Sequence, residues 1–241
     1  MNYFAHANLY LHDPYFAAGT AVPDWLSVVN RGVRLRPPAV APHLENGDGV
    51  ARRVAAGILQ HLKDDRRFHG TAAFSEALTA VLGEIRPALA EVRIPPVFLS
   101  HLLVEVLLDA ALVARLPDAV EAYYRALEEV SPEVIAAAVS RMTHQPIPGF
   151  APFIRLFCRE RILFDYLQDD KLWMRLGQVM RRLGLPPLPE GLFVRLPRLR
   201  ELIAARQEGL LAPCRGEGGA AVGSSGNPGN PDRPNEPVPP A

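Results

Sequence analysis

Residues 48–70 read DGVARRVAAGILQHLKDDRRFHG, and this stretch sets the expectation for the whole fold. Its apolar side chains recur every three or four positions, as at Val50, Val54, Ile58 and Leu62, which is the period of one face of an α-helix. The same period holds on both sides of this stretch, and no convincing run alternates with period two. The sequence therefore predicts an all-α protein of about eight helices.

Start and stop signals mark several of these helices. Asp118, with Glu121 three residues later, predicts a capping box, and Ser131 before Pro132 predicts an N-cap with proline at the first helical position. Gly184, followed closely by two prolines, predicts the end of a helix.

The chain divides into a helical domain and a tail. Its 241 residues and 49% hydrophobic content suit one domain, which we predict over residues 1–212. Residues 34–49, where three prolines precede asparagine and glycines, predict an internal loop. Residues 213–241 contain seven prolines and six glycines and few apolar side chains, so they predict a disordered tail.

Charge and composition bear on partners and location. The 26 basic residues balance 26 acidic ones, which gives no general attraction to nucleic acid or to a membrane surface, and we expect neither partner. Residues 96–116 are strongly apolar, but they include His101, Glu105 and Asp109, which are too many ionisable groups for a lone transmembrane span. The opening residues lack a signal peptide's features, and Cys158 and Cys214 lie in very different settings, which predicts no disulfide and a cytoplasmic location.

Two sets of polar residues repeat at a spacing of four. The first set is His61, Asp65 and His69, and the second set is His101, Glu105 and Asp109. Residues four apart stack along one face of a helix, near enough to share a ligand. The second set is surrounded by Leu and Val, which predicts that its members are buried.

Buried carboxylates need a cation, hydrogen-bond donors or a metal close by. If the two helices pack together, the imidazoles and carboxylates converge, and this donor set suits Zn, Mn or Fe. The alternative is that each polar residue is an ordinary hydrogen-bonded core residue. Glu105 and Asp109 would then form salt bridges with Arg86, Arg93 or Arg115.

Four short blocks follow one another within about residues 1–115. They are residues 1–6, reading MNYFAH; Gly19 with Pro23, Asp24 and Trp25; Gly57 and Ile58 leading to His61 and Asp65; and Ser100, His101, Leu102 and Leu103. In this order the blocks resemble the acyl carrier protein phosphodiesterases, helical enzymes that are unusual relatives of the HD-domain metal phosphohydrolases.

The resemblance implies an HD-domain-like helical fold and metal or catalytic roles for a specific set of side chains. Those side chains are His6, Asp24, His61, Asp65 and His101. The chain departs from the family pattern at Asn8, where a second histidine is usual, at Leu62, Lys63 and Asp64, where arginines are expected, and at Ser100, where aspartate is expected. Without the resemblance, Asp24 after Pro23 would equally suit the N-cap of a helix that begins at Trp25.

We therefore hypothesise a metal-dependent phosphodiesterase. Mn is the expected metal, with Fe and Zn as alternatives, held by His61, Asp65 and His101 with His69, His6 or Asp24. Asp65, Glu105 and Asp109 are the candidate catalytic carboxylates. Such a carboxylate would bind the metal, accept a hydrogen bond that fixes the tautomer of a metal-binding histidine, or take a proton from water as the general base.

The substrate implied by the resemblance is the phosphopantetheine diester of acyl carrier protein, or a related small phosphodiester. An acidic carrier needs a basic docking surface, for which Arg52, Arg53, Lys63, Arg66 and Arg67 are candidates, although a solvated helix face is the simpler interpretation. The sequence leaves the oligomeric state open.

A second hypothesis is a non-catalytic helical interaction protein derived from such a hydrolase, in which the polar sets are internal ion pairs. The dipeptide His12–Asp13 resembles a metal-binding pair, but Pro14 follows it, which predicts a turn.

Overall fold

The computed structural model describes residues 1–215, and all regular elements there are helices, which confirms the all-α prediction. Within this part of the chain, eight helices have 11 or more residues, the number expected from the sequence. Shorter helices connect or cap them. The buried apolar side chains form one continuous core, so the described residues are a single domain.

Short connections separate consecutive helices along residues 1–215. The α-helices, in chain order, are α1 (Tyr3–Ala7), α2 (Pro14–Val29), α3 (Pro37–Val40), α4 (Pro42–Asn46), α5 (Gly49–His69), α6 (Ala72–Ile85), α7 (Pro96–Arg115), α8 (Pro117–Glu128), α9 (Pro132–Thr143), α10 (Phe150–Glu160), α11 (Asp169–Leu183), α12 (Glu190–Phe193), α13 (Leu196–Ala204) and α14 (Gln207–Arg215). Two 3-10 helices, η1 (Arg86–Leu89) and η2 (Ile162–Leu167), lie between them.

Side-chain caps fix several helix starts. Asp48 accepts hydrogen bonds from the N–H groups of Val50 and Ala51 at the start of α5. The predicted cap Ser131 accepts one from the N–H of Val134, and the predicted terminator Gly184 ends α11 at φ 68°, so both predictions are confirmed.

Three boundary predictions were wrong. Helix α8 begins at Pro117, so Asp118 lies in its first turn and does not cap it. The predicted loop 34–49 contains α3 and α4, because a proline at the first helical position starts each one. The domain extends past residue 212, since α14 continues through Arg215, while the remaining predicted tail, 216–241, lies outside the described residues.

Helices α2 and α5 form the most extensive helix pair, and two glycines set their distance. A Cβ atom at Gly57 would lie 2.2 Å from the carbonyl oxygen of Phe16, and one at Gly19 would lie 2.5 Å from that of Val54. Any side chain at either position would therefore collide with backbone. The close approach brings the side chains of α5 within hydrogen-bonding distance of the α2 backbone.

Helix α7 runs through the core and contacts α1, α6, α8, α13 and η2. Its length and apolar composition would allow it to cross a membrane, but most of the helix is buried inside the domain. The N-terminal segment with α1 lies against α2, α5, α7 and α8. Cys158 and Cys214 are both free and partly buried.

Candidate metal centre

The first candidate cluster consists of His6, His61 and Asp65, whose potential ligand atoms all lie within 4.8 Å of one another. Helix α1 supplies His6, and α5 supplies the other two from consecutive turns. The two imidazole rings stack with their centroids 4.0 Å apart. Asp65 Oδ1 lies 3.3 Å from His6 Nε2, and Asp65 Oδ2 lies 3.4 Å from His61 Nε2.

A backbone hydrogen bond fixes the tautomer of His61. Its Nδ1 lies 2.8 Å from the carbonyl oxygen of Thr20, and because a carbonyl can only accept, Nδ1 carries the proton and donates it. In the neutral ring Nε2 then holds a lone pair, which faces Asp65. A metal-binding histidine usually donates a hydrogen bond from one ring nitrogen, often to a backbone carbonyl, and binds the metal through the lone pair of the other.

His6 is buried, and neither of its ring nitrogens has a hydrogen-bond partner. Its Nδ1 lies 3.5 Å from Asp64 Oδ2, and its Nε2 faces Asp65. Buried polar atoms normally have partners, so an unsatisfied imidazole beside a carboxylate fits a site that binds a cation.

The second candidate cluster consists of His69, His101 and Glu105, again with all potential ligand atoms within 4.8 Å. The Nε2 atoms of His69 and His101 lie 3.0 and 3.1 Å from the same oxygen, Oε1 of Glu105. The edge of Phe74 packs near both rings. This cluster is more open than the first, since the side chains of His69 and His101 are 31% and 40% exposed.

The buried ammonium group of Met1 lies between the two clusters. It donates to Asp65 Oδ1 at 2.8 Å and to Glu105 Oε1 at 2.9 Å. Burial alone would lower the pKa of this ammonium, but the two carboxylates raise it to about 10. Burial opposes ionisation of Asp65 and Glu105 too, yet the ammonium and the adjacent imidazoles hold the pKa of each carboxyl well below its usual range. The region between the clusters is therefore strongly suited to positive charge.

Asp24 borders two clefts that flank this region. The arginine cleft, of about 380 Å³, is bounded by Asp24, Arg31, Arg34, His61 and Asp65. The apolar cleft, of about 340 Å³, is bounded by Asp24, Leu102, Glu105, Phe153, Leu156 and Val179.

Asp24 itself lies inside α2, so its alternative role as the N-cap of a helix beginning at Trp25 is wrong. Burial raises the pKa of Asp24 to about 7, and its buried Oδ2 has no hydrogen-bond partner. It shares the arginine cleft with His61 and Asp65. A carboxyl group in this state can take up a cation or a proton.

Asp109 has a different role from the catalytic one predicted for it. Its two oxygens accept hydrogen bonds from the N–H groups of Phe4 and Ala5, at 3.1 and 2.8 Å. It thus anchors the first turn of α1, the helix that carries His6. Both of its oxygens are occupied, so we do not retain it as a catalytic group.

The predicted salt bridges to arginine are also wrong. Within residues 1–215, none of Arg86, Arg93 and Arg115 pairs with Glu105 or Asp109. Glu105 instead contacts the N-terminal ammonium and two imidazoles, and Asp109 accepts hydrogen bonds from two backbone N–H groups. The ammonium and the backbone donors come from a segment about 100 residues away in sequence, and the periodicity of α7 alone carries no signal for them.

The four predicted docking arginines form two separate patches instead of one cluster. Arg52 and Arg53 lie at the start of α5, where Arg53 stacks over Tyr15, and Arg66 and Arg67 lie near its end. At 1.5 Å per residue, the two patches are about 20 Å apart along the helix. Arg31 and Arg34, which were not predicted as site residues, lie in the connection after α2 and border the arginine cleft.

The dipeptide His12–Asp13 lies in a turn, as predicted, and Asp13 caps α2 by accepting from the N–H of Phe16. It therefore takes no part in either cluster.

In comparisons with known proteins, no family model matches the chain, and no curated protein and no solved structure is significantly similar to it. The case for function depends on the geometry of the two clusters and their clefts.

Proposed function

We propose that this protein is a metal-dependent phosphodiester hydrolase. In this proposal His6, His61 and Asp65 hold one divalent cation, and His69, His101 and Glu105 hold a second. The observation that carries it is the hydrogen bond from His61 Nδ1 to the Thr20 carbonyl, which leaves the lone pair of Nε2 facing Asp65. His61 is buried and Asp65 is partly buried, and two acceptors that face each other in such a site call for a cation between them.

The donor set determines which metals fit. Imidazole nitrogens with carboxylate oxygens suit Mn, Fe and Zn, and we propose Mn as the native metal. When bound, such cations polarise phosphoryl oxygens and make water acidic enough to attack at neutral pH.

Two arginines are placed to bind the phosphodiester itself. Arg31 and Arg34 border the same cleft as His61 and Asp65, and within the described residues neither forms an ion pair. Guanidinium groups bind phosphate oxygens through charge-assisted, often bidentate hydrogen bonds. They would hold the non-bridging oxygens and orient the phosphorus towards the first cluster.

Asp24 would act as the proton acceptor. The oxygen of a water molecule forms a bond to phosphorus, and the bond between phosphorus and one ester oxygen breaks. One proton of that water passes to Asp24 and then to the departing alkoxide, so the products are a phosphomonoester and an alcohol. The unpartnered Oδ2 of Asp24 supports this assignment.

The substrate suggested by the resemblance is the phosphopantetheine diester of acyl carrier protein or a related small phosphodiester. The C-terminal part of α5, with Lys63, Arg66 and Arg67, lies within one helical turn of Asp65 and would face an acidic carrier. The distant pair Arg52 and Arg53 has no place in that docking surface.

One observation favours the alternative of a non-catalytic interaction protein. The ammonium of Met1 pairs with both Asp65 and Glu105, so the two carboxylates have an internal partner without any metal. In this alternative the clusters are ion pairs that join α1 to α5 and α7, and no cation is needed.

Hydrolysis of bis-p-nitrophenyl phosphate with added Mn separates the two functions, and a holo carrier protein is the second substrate to test. We expect His61→Ala to lower kcat/KM for the small diester by more than about 100-fold, since loss of an outer partner alone costs about 10- to 100-fold. His12→Ala is the matched control, because His12 is exposed and lies in a turn outside both clusters. It should leave the rate unchanged.

Turnover that is absent in the presence of Mn, Fe and Zn would contradict the hydrolase and favour the interaction protein. Turnover that is equal in wild type and in His61→Ala would also contradict it, because the activity would then arise elsewhere.

A further inference from the structure

The apolar cleft shares Asp24 with the arginine cleft. Glu105 of the second cluster also borders it, and Asp24 and Glu105 together define its cluster end. The other walls come largely from α10, η2 and α11, and thus from chain beyond residue 115, where the family resemblance ends. Its volume of about 340 Å³ is at the lower end of the range for ligand sites.

More of the cleft's lining surface is apolar than polar. Leu102 and Val106 come from α7, and Phe153, Leu156 and Val179 come from α10 and α11. Leu156 is 41% exposed at this cleft, although large apolar side chains are normally covered. A ligand that covered it would gain the free energy of removing this surface from water.

Charged side chains also line the cleft, namely Glu160, Arg175 and Arg182. Arg182 borders the cleft and, within the part of the chain that the structure describes, forms no ion pair. Arg175, its neighbour about two turns earlier, is held by Asp165 through Nε and Nη2 at 2.8 and 2.6 Å. A cleft with apolar walls, the Arg182 guanidinium and a cation-binding end suits an amphiphilic phosphoester.

We propose that the apolar cleft binds an apolar ester group of the phosphodiester, an alkyl chain or aryl ring, while the phosphate lies at the cluster end. This inference rests on the proposed function and adds a substrate class to it. The cleft then acts as the specificity site, and the energy of burying the ester group holds the phosphorus against Asp24 and the clusters.

The test compares two diesters that share one leaving group, methyl p-nitrophenyl phosphate and hexyl p-nitrophenyl phosphate, with the Mn-loaded full chain. Each buried methylene group contributes about fourfold to binding, so we expect kcat/KM to be at least about tenfold higher for the hexyl ester. Val179→Trp, which fills the cleft, should abolish the difference by lowering the hexyl value to the methyl value.

Met174→Trp is the matched control, because Met174 lies on the same helix, is 45% exposed and faces a different part of the surface. Equal rates for the two esters in the wild type would overturn the cleft proposal and leave the hydrolase intact. A preference for the hexyl ester that persists in Val179→Trp would also overturn the cleft proposal.

A binding measurement keeps the two proposals separate. Calorimetric titration of the chain with hexylphosphonate and with methylphosphonate needs no turnover. If neither ester is hydrolysed but hexylphosphonate binds at least about tenfold more tightly, and Val179→Trp removes the difference, the cleft proposal holds and the hydrolase fails. If the phosphonates bind equally, the cleft proposal fails whatever the activity.

Discussion

At the residue scale, His61 shows how one backbone contact gives a side chain its chemistry. Its spacing from Asp65 is readable in the sequence, because residues four apart lie on one helix face. Its tautomer is not readable, because the acceptor is the carbonyl of Thr20, 41 residues away on another helix. The same holds for Met1, whose ammonium meets Asp65 and Glu105 only through the tertiary fold.

Asp109 illustrates the opposite case, in which a correct spacing led to a wrong role. It follows Glu105 by four residues and was expected to share its function. The two side chains do point from the same face of α7, but the first turn of α1 covers that face at Asp109, so Asp109 meets backbone N–H groups instead of imidazoles. Periodicity defines a face, whereas the element that covers the face determines the chemistry.

The pH dependence of stability tests the state of Asp109. Burial raises its pKa from 3.8 to about 7 in the folded protein, so its stabilising contribution is full below the unfolded pKa and is lost as the pH rises towards 7. Asn does not titrate, so Asp109→Asn lacks this pH dependence. Between about pH 5 and about pH 8, the free energy of unfolding of wild type should therefore fall by on the order of a few kcal/mol relative to that of Asp109→Asn.

Urea unfolding of both proteins at the two pH values, with a chelator present, measures this difference. Asp118→Asn, a change at an exposed aspartate, is the control and should follow wild type. If wild type instead gained stability relative to Asp109→Asn at the higher pH, the two backbone donors would be holding the carboxylate ionised, and the assignment would be wrong.

At the scale of the elements, the α2–α5 pair positions the first cluster. Gly19 and Gly57 remove the side chains that would keep the helices apart, and the resulting contact lets His61 reach Thr20. The sequence marked both glycines as part of the resemblance. Their structural role depends on the folded helix pair, where a Cβ atom would lie 2.2 Å (Gly57) or 2.5 Å (Gly19) from a carbonyl oxygen of the other helix.

Gly57→Ala should therefore damage stability and metal binding together. The new methyl group meets the backbone of Phe16, which cannot move away as a side chain could. We therefore expect the free energy of unfolding to fall by about 1–3 kcal/mol or more. Because the bond from His61 to Thr20 would also be lost, Mn affinity should fall by about 10- to 100-fold. Thermal unfolding and a metal titration measure the two effects.

Gly83→Ala is the matched control, since a Cβ at Gly83 in α6 has no neighbour within 4 Å. It should raise stability by up to about 1 kcal/mol through helix propensity and leave Mn affinity unchanged. Equal effects of the two substitutions would show that the helices are not in close contact at Gly57.

At the scale of the whole molecule, the candidate centre joins distant parts of the chain. Its members come from the N-terminal segment, α2, α5 and α7, so the centre exists only in the folded state. The all-α class and the long helices were predictable from local periodicity and caps. The position of α1 among four other helices, and the clefts beside it, depend on tertiary packing that no local pattern encodes.

Metal binding should consequently stabilise the fold. A ligand that binds only the folded state adds about 2.7 kcal/mol at one hundred times its dissociation constant, which corresponds to a rise in Tm of about 5–10 °C for a domain of this size. Differential scanning fluorimetry with Mn and with EDTA measures the shift. A shift of the same size in the His61→Ala, His101→Ala double variant would place the bound metal outside the two clusters.

Elemental analysis of the purified chain after Mn loading and removal of free metal tests most directly whether the two clusters bind cations. We predict about two Mn per chain in wild type, about one in either single variant, His61→Ala or His101→Ala, and none in the double variant. A folded wild-type protein without stoichiometric Mn, Fe or Zn, or a double variant with undiminished metal content, would contradict the assignment of the metal centre.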